Sequence, residues 1–250
     1  EKYKGEIHFS TGSNTARSSS NFYALNNGIA TLFEIRGVGI GKTSFKRRIN
    51  SGLAVGFSFL KTAYENSNFI FNQIDIANTY TNDIVLQHER SIYTDVIKAI
   101  DIESNELIDF STTMHSSKDS YAISKRDRPL AYIIKKNNYG FIEKLNDVGV
   151  NYVELEKDTM IYSGGYKVVE FNNKFKVYEK MKMQKVVTSI EYSNNKFSKG
   201  DILISMNQKR SNLIAELLEP EAPNSYVSFG IIKTSLNNQL PIYRIKNFNN

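Results

Sequence analysis

Apolar positions fall into three kinds of run. The first is a continuous block at residues 29–35, preceded by Gly28 and followed by Gly37, Gly39 and Gly41. A short apolar run bounded by glycine predicts a buried strand. This one delivers Glu34, and then Arg36, to the mouth of a glycine-rich loop. The second kind has helical spacing. Phe45, Ile49, Leu53, Phe57, Leu60 and Tyr64 predict a helix that Thr43 or Ser44 can cap. Gly52 and Gly56 lie on a neighbouring strip, which implies close packing against a sheet. The stripe Val85, Ile92, Val96 and Ile100 predicts a second helix over residues 82–100.

The third kind is short and mostly alternating. Strands are expected at residues 4–10, 130–134, 150–155, 226–232 and 242–245, with several more within 166–206. Turns are expected at Gly164-Gly165 and Lys199-Gly200. A helix over 139–148 should stop at Gly149, and another over 211–218 at Pro220. Residues 10–21 form a polar, Ser-rich loop, and residues 103–127 read as polar and irregular. A shift in composition near residues 70–80 suggests a domain boundary.

With 250 residues, 40% hydrophobic and 23% charged, the chain can bury a sizeable core. The absence of cysteine excludes disulfides and thiolate metal sites. The formal charge of +6 is spread along the chain, which argues against nucleic acid as a partner. No apolar stretch approaches the roughly 20 residues that span a bilayer. The run Gly37-Val-Gly-Ile-Gly41-Lys42-Thr43 resembles a phosphate loop, but that motif needs glycine where Arg36 stands. The dinucleotide fingerprint would need glycine at Lys42, so a tight turn into a helix is the better reading. His8, His88 and His115 show no metal-ligand spacing. On spacing alone Glu34 reads as an ion-pair partner of Arg36, Lys46, Arg47 or Arg48.

From about residue 5 to 65 the chain resembles the closing segment of the catalytic domain of zinc carboxypeptidases, the carboxypeptidase A-like family. The resemblance rests on four features in order. They are the loop Ser10-Thr-Gly-Ser-Asn-Thr-Ala-Arg17-Ser-Ser-Ser-Asn21, the segment Phe22-Tyr23-Ala-Leu-Asn26-Asn27, the strand end Glu34-Ile-Arg36-Gly, and the helix with Arg47-Arg48. Arg128-Pro-Leu-Ala-Tyr-Ile-Ile, Ala215-Glu-Leu-Leu-Glu-Pro220-Glu and Pro241-Ile-Tyr-Arg244 resemble the extra C-terminal region of bacterial members.

The resemblance implies an α/β fold: the terminal portion of a mixed-sheet α/β/α zinc-exopeptidase domain at residues 1–75, then an accessory α+β domain at 76–250. It implies that Glu34 is the general base that activates a zinc-bound water against the last peptide bond of a peptide substrate. The Ser-rich loop would line the pocket for the substrate's C-terminal side chain, with Thr11, Arg17 and Ser19 as substrate-binding candidates. The family's His-x-x-Glu pair and distant His lie upstream of the segment matching Glu1. Zinc is therefore expected in a full-length parent and not in this chain, which alone should be inactive without the N-terminal part of the catalytic domain. The tyrosine that precedes the loop in many members is absent from His8-Phe9-Ser10. Secreted or periplasmic placement follows from the resemblance only. A non-catalytic module that binds a peptide or glycan through its Tyr-rich C-terminal region is the alternative; the chain holds 15 tyrosines.

Overall fold

The computed structural model describes residues 8–35, 37, 39–79, 81–136 and 139–247. Residues 4–7 of the first expected strand, and Arg36, lie outside them. In chain order the elements are β1 (His8–Thr11), α1 (Ser19–Leu25), α2 (Phe45–Glu65), α3 (Ser67–Asn78), β2 (Ile84–Ile100), β3 (Leu107–Arg126), β4 (Ala131–Ile134), α4 (Tyr139–Asp147), β5 (Val153–Glu154), β6 (Thr159–Tyr178), β7 (Met181–Phe197), β8 (Ile202–Ser205), α5 (Ser211–Leu218) and β9 (Gln239–Ile245). The described residues form a mixed α/β structure with two sheets.

The larger sheet has strand order β5-β8-β4-β9-β6-β7, with every neighbouring pair antiparallel. β4 lies between β8 and β9 and is buried along its whole length. Successive strand residues point to opposite faces. Tyr132 and Ile134 accordingly join one core with Phe141 and Leu145 of α4 and Ile214 and Leu218 of α5. Ala131 and Ile133 join a second core with Phe197, Tyr243 and Ile245. The helix at Ser211–Leu218 and the left-handed stop at Gly149 (φ 68°) match expectation. Gly164 and Gly165 do not make a turn. They sit inside β6, and crowding favours glycine there: a Cβ at Gly164 would meet Ile190 Cγ2 at 2.7 Å, and one at Gly165 would meet Gln239 Nε2 at 2.5 Å.

The smaller sheet, β1-β3-β2, corrects two expectations. Residues 82–100 are not a helix but strand β2, paired antiparallel to β3 from Ile84↔Arg126 to Ile100↔Leu107. Ile92, Val96 and Ile100 are spaced by four, which keeps residues on one face of a helix and on one face of a strand alike. Five of the residues between 92 and 100 are β-branched (Ile92, Thr94, Val96, Ile97, Ile100), and the ladder decides the matter. The supposedly irregular region supplies that ladder as β3, whose Ser- and Thr-rich sequence hides its strand character.

Two more expected strands fail. Residues 226–232 form turns that still bury Tyr226, Val227 and Ile232. Of residues 150–155 only Val153 and Glu154 pair. The helix α2 starts where predicted, but its N-cap Ser44 is left-handed (φ 56°) and its side chain makes no capping bond.

Candidate functional site

The segment that carries Glu34 is irregular and exposed, which overturns the buried-strand reading of residues 29–35. Ile29, Leu32 and Phe33 are 59%, 61% and 52% exposed. A strand needs a neighbour for its backbone N–H and C=O groups, and among the described residues nothing pairs with this one. The Glu34 carboxylate makes no hydrogen bond or ion pair with another described residue. Of the four partners expected for it, Arg48 is engaged elsewhere, donating from Nη2 to the Gly41 carbonyl at 2.8 Å. It closes the loop around Gly39 (φ 78°) and Gly41 (φ 50°). A groove of about 630 Å³ runs between this segment and α2, lined by Ser19, Tyr23, Phe33, Ile35, Gly56 and Leu60. Ser19 thus faces the same groove as the two residues flanking Glu34, while Arg17 and Thr11 do not.

The Ser-rich loop is held at several points. Thr11 Oγ1 donates to Ser116 Oγ at 3.4 Å, and Asn14 Nδ2 to Ser120 Oγ at 2.5 Å. Asn21 Nδ2 donates to the Thr15 carbonyl at 3.0 Å, which tightens the loop's far end. Arg17 is ion-paired with Glu179 at the β6–β7 turn. Its guanidinium carbon lies 4.7 Å from the Tyr178 ring centre and 5.1 Å from that of Phe229. Below the loop is a cavity of about 730 Å³, lined among others by Asn14, Thr15, His88, Lys176, Tyr178 and Glu216. Burial pushes the Glu216 carboxyl up from its ordinary value, although Asn224 donates to it from both its backbone and its side chain.

Sequence reasoning missed the largest polar cluster. Glu219, fully buried after α5, accepts from Arg126 Nη1 at 2.5 Å and from the Tyr132 hydroxyl at 2.5 Å, with Arg244 Nε 3.3 Å away. Arg126 also donates to Glu221 at 2.9 Å, and its guanidinium lies 5.6 Å from the Tyr166 ring centre. Glu221 in turn accepts from the Thr188 backbone at 2.9 Å. Asp127 faces Arg244 and Lys246, at 3.4 and 3.1 Å. Burial alone would strip charge from Arg126, but Glu221 and Glu219 outweigh it and raise its pKa. Partial burial of Asp127 is likewise outweighed, chiefly by Lys246 and Arg244, so its carboxyl stays below the usual range. The signal was present in Arg126-Asp127-Arg128 and in Glu219-Pro220-Glu221, charged triplets flanking buried elements. Nothing in their spacing says that they meet.

Among the described residues no three His, Asp or Glu side chains cluster as metal ligands. His8 and His115 do come together, with ring centres 4.1 Å apart and planes 17° from parallel. Stacked rings keep their nitrogens at parallel edges rather than aiming them at one point. The described residues therefore do not fit a zinc centre. Nor is any described helix long and apolar enough to cross a membrane.

No protein-family profile matches the chain, and no solved structure does. Curated relatives do. The chain is 30% identical over 240 residues to carboxypeptidase 2 of Trichophyton equinum, covering 92% of this chain and 44% of that protein. Against carboxypeptidase 2 of Trichophyton tonsurans the figures are 28% over 235 residues, 92% and 44%. Against the probable carboxypeptidase 2 of Arthroderma benhamiae they are 28% over 213 residues, 82% and 40%. The chain is therefore related to proteins named carboxypeptidases, and it spans less than half their length. These relatives are fungal, so the bacterial affinity read from the C-terminal stretches has no support.

Proposed function

We propose that this chain is the C-terminal part of a zinc metallocarboxypeptidase that removes C-terminal residues from peptides, with Glu34 as its general base. The observation that carries the proposal is the match to carboxypeptidase 2 over 92% of the chain. The remaining length of such a parent would supply the zinc ligands, the rest of the catalytic sheet and the clamp for the substrate carboxylate. Bound zinc supplies a polarised carbonyl and an acidified water. This chain would contribute a carboxylate on a segment free to seat against a sheet, taking a proton from water and returning it to the leaving amine. Thr11, Arg17 and Ser19 remain substrate-side candidates in the same proposal, as does secretion of the parent. In the same proposal residues 1–75 would close the catalytic domain and residues 76–250 would form the accessory domain.

The test is Glu34→Gln in the full-length protein. The expected result is a fall of about 10²- to 10⁴-fold in kcat with substrate binding retained. Unchanged turnover would reduce Glu34 to a surface carboxylate, and a wild-type protein that binds without turnover would hand the lead to the peptide- or glycan-binding module.

A further inference from the structure

The contact between Arg17 and the β6–β7 turn joins the two ends of the molecule's function. The Ser-rich loop belongs to the part proposed to meet substrate, and the turn belongs to the accessory sheet. Three groups converge on Arg17: the Glu179 carboxylate, the Tyr178 ring at 4.7 Å and the Phe229 ring at 5.1 Å. The two rings are themselves edge to face, 6.4 Å apart. A guanidinium between two aromatic faces and a carboxylate is fixed in both position and orientation.

The turn adds an independent observation. Glu179 and Lys180 both have positive φ, 46° and 68°. A two-residue hairpin turn with positive φ at both positions favours Asn-Gly, and a Glu-Lys pair holds it under strain. A strained residue persists where its surroundings over-determine it. At Glu179 the constraint on view is the grip on Arg17. The cavity below is lined from both sides of this contact, by Thr15 and Ala16 of the loop and by Tyr178 and Phe229 opposite.

We propose that Tyr178, Glu179 and Phe229 form a clamp through which the accessory sheet positions the substrate-side loop, so that Arg17 acts on the substrate side as a positioning residue, through the loop it holds. This rests on the carboxypeptidase reading above. The clamp should set how well the substrate's C-terminal residue fits, and leave the reacting atoms untouched.

The experiment compares the full-length protein with Glu179→Gln, Tyr178→Ala and Tyr178→Phe. The first readout is native-state trypsin cleavage of the Arg17–Ser18 bond, mapped by mass spectrometry. The second is KM and kcat on peptides that differ in their last residue. Glu179→Gln and Tyr178→Ala should speed that cleavage and raise KM by about 5- to 10-fold, with kcat within about twofold. Tyr178→Phe, which keeps the ring face, should match the wild type. Cleavage or KM unmoved in both loosening variants overturns the clamp, as does an equal fall in kcat. A wild-type protein with no turnover removes the carboxypeptidase reading and the clamp's role with it. An active wild type whose variants keep KM removes the clamp alone.

Discussion

Helices α2 and α5 are both amphipathic, yet they meet opposite fates. In α5, eight residues long, Leu213, Ile214, Ala215 and Leu218 are buried, the last three in the core of the larger sheet. In α2, of 21 residues, none is buried, and Phe45, Leu53, Phe57 and Leu60 are 58%, 52%, 67% and 65% exposed. The contrast extends to the regions they represent. Every buried apolar side chain among the described residues lies at Ile84 or later. An apolar stripe is thus a demand for a partner, and the sequence alone does not say whether the partner is present. The second region answers the demand of α5 with the larger sheet, although Ile92, Val96 and Ile100 of β2 stay 64%, 57% and 68% exposed. The first leaves its stripe facing outward, as a helix would if its sheet came from elsewhere in a longer protein.

Paired truncations give the largest effects and the most direct way to break this comparison. Leu218→Ala removes a fully buried side chain and should cost about 3 kcal/mol by urea denaturation. Leu53→Ala in this same chain should change stability by less than about 0.5 kcal/mol, because its side chain already meets solvent. In the full-length protein, Leu53→Ala should rise to about 3 kcal/mol, since a covering sheet would turn surface into core. An effect at Leu53 that stays near zero there would mean that α2 is a surface helix, and the proposed parent fold would lose its main structural support.

The buried cluster at Glu219 sharpens the comparison from the other side. In the second region the buried Glu219 carboxylate is matched by two arginines and a tyrosine. Glu219→Gln keeps the shape and the Tyr132 contact but removes the charge facing Arg126 and Arg244. Breaking a buried ion pair from one side leaves a charge uncompensated, so the loss should be about 3 kcal/mol. Glu221 still faces Arg126, and Asp127 still faces Arg244, which keeps the loss from being larger. A midpoint of urea unfolding within error of the wild type would show that the cluster is solvated and not a keystone.

What was legible follows the same division. Helices with stops of their own could be read from local residues, as at Ser211–Leu218 before Pro220 and at Gly149. Strands β2 and β3 could not, because their pairing partner lies up to 42 residues away at Ile84↔Arg126, and the alternation of β3 is carried by Ser and Thr. The run at 29–35 was misread for the reverse reason: its composition asks for a sheet that the described residues do not supply. Of the candidate site, the resemblance drew attention to the Glu34 segment and the Ser-rich loop. It could not place Arg17 on Tyr178 and Phe229, which lie 161 and 212 residues further on. Nor could it bring Glu219 to Arg126, 93 residues away.

The smallest effects separate two tyrosines of the same cluster. The Tyr132 hydroxyl donates to Glu219, whereas the Tyr166 hydroxyl is buried without a hydrogen-bond partner among the described residues. Tyr132→Phe should therefore cost about 1 to 2 kcal/mol at pH 7. Tyr166→Phe loses no bond and keeps its ring beneath Arg126, so its change should stay within about 0.5 kcal/mol. At alkaline pH the two behave alike. Burial, and then the Glu219 charge, push both phenols well above their ordinary value of 10.0. Above about pH 10 the unfolded chain releases these protons and the folded protein keeps them, so stability is full below that pH and falls as pH rises. Each Phe variant should remove its share of that alkaline decline, so a plot of urea midpoint against pH from 8 to 11 should be flatter for both. A decline of unchanged steepness in Tyr166→Phe would show that its hydroxyl reaches water in the folded state, and the sealed core of the second region would then be more open than its packing implies.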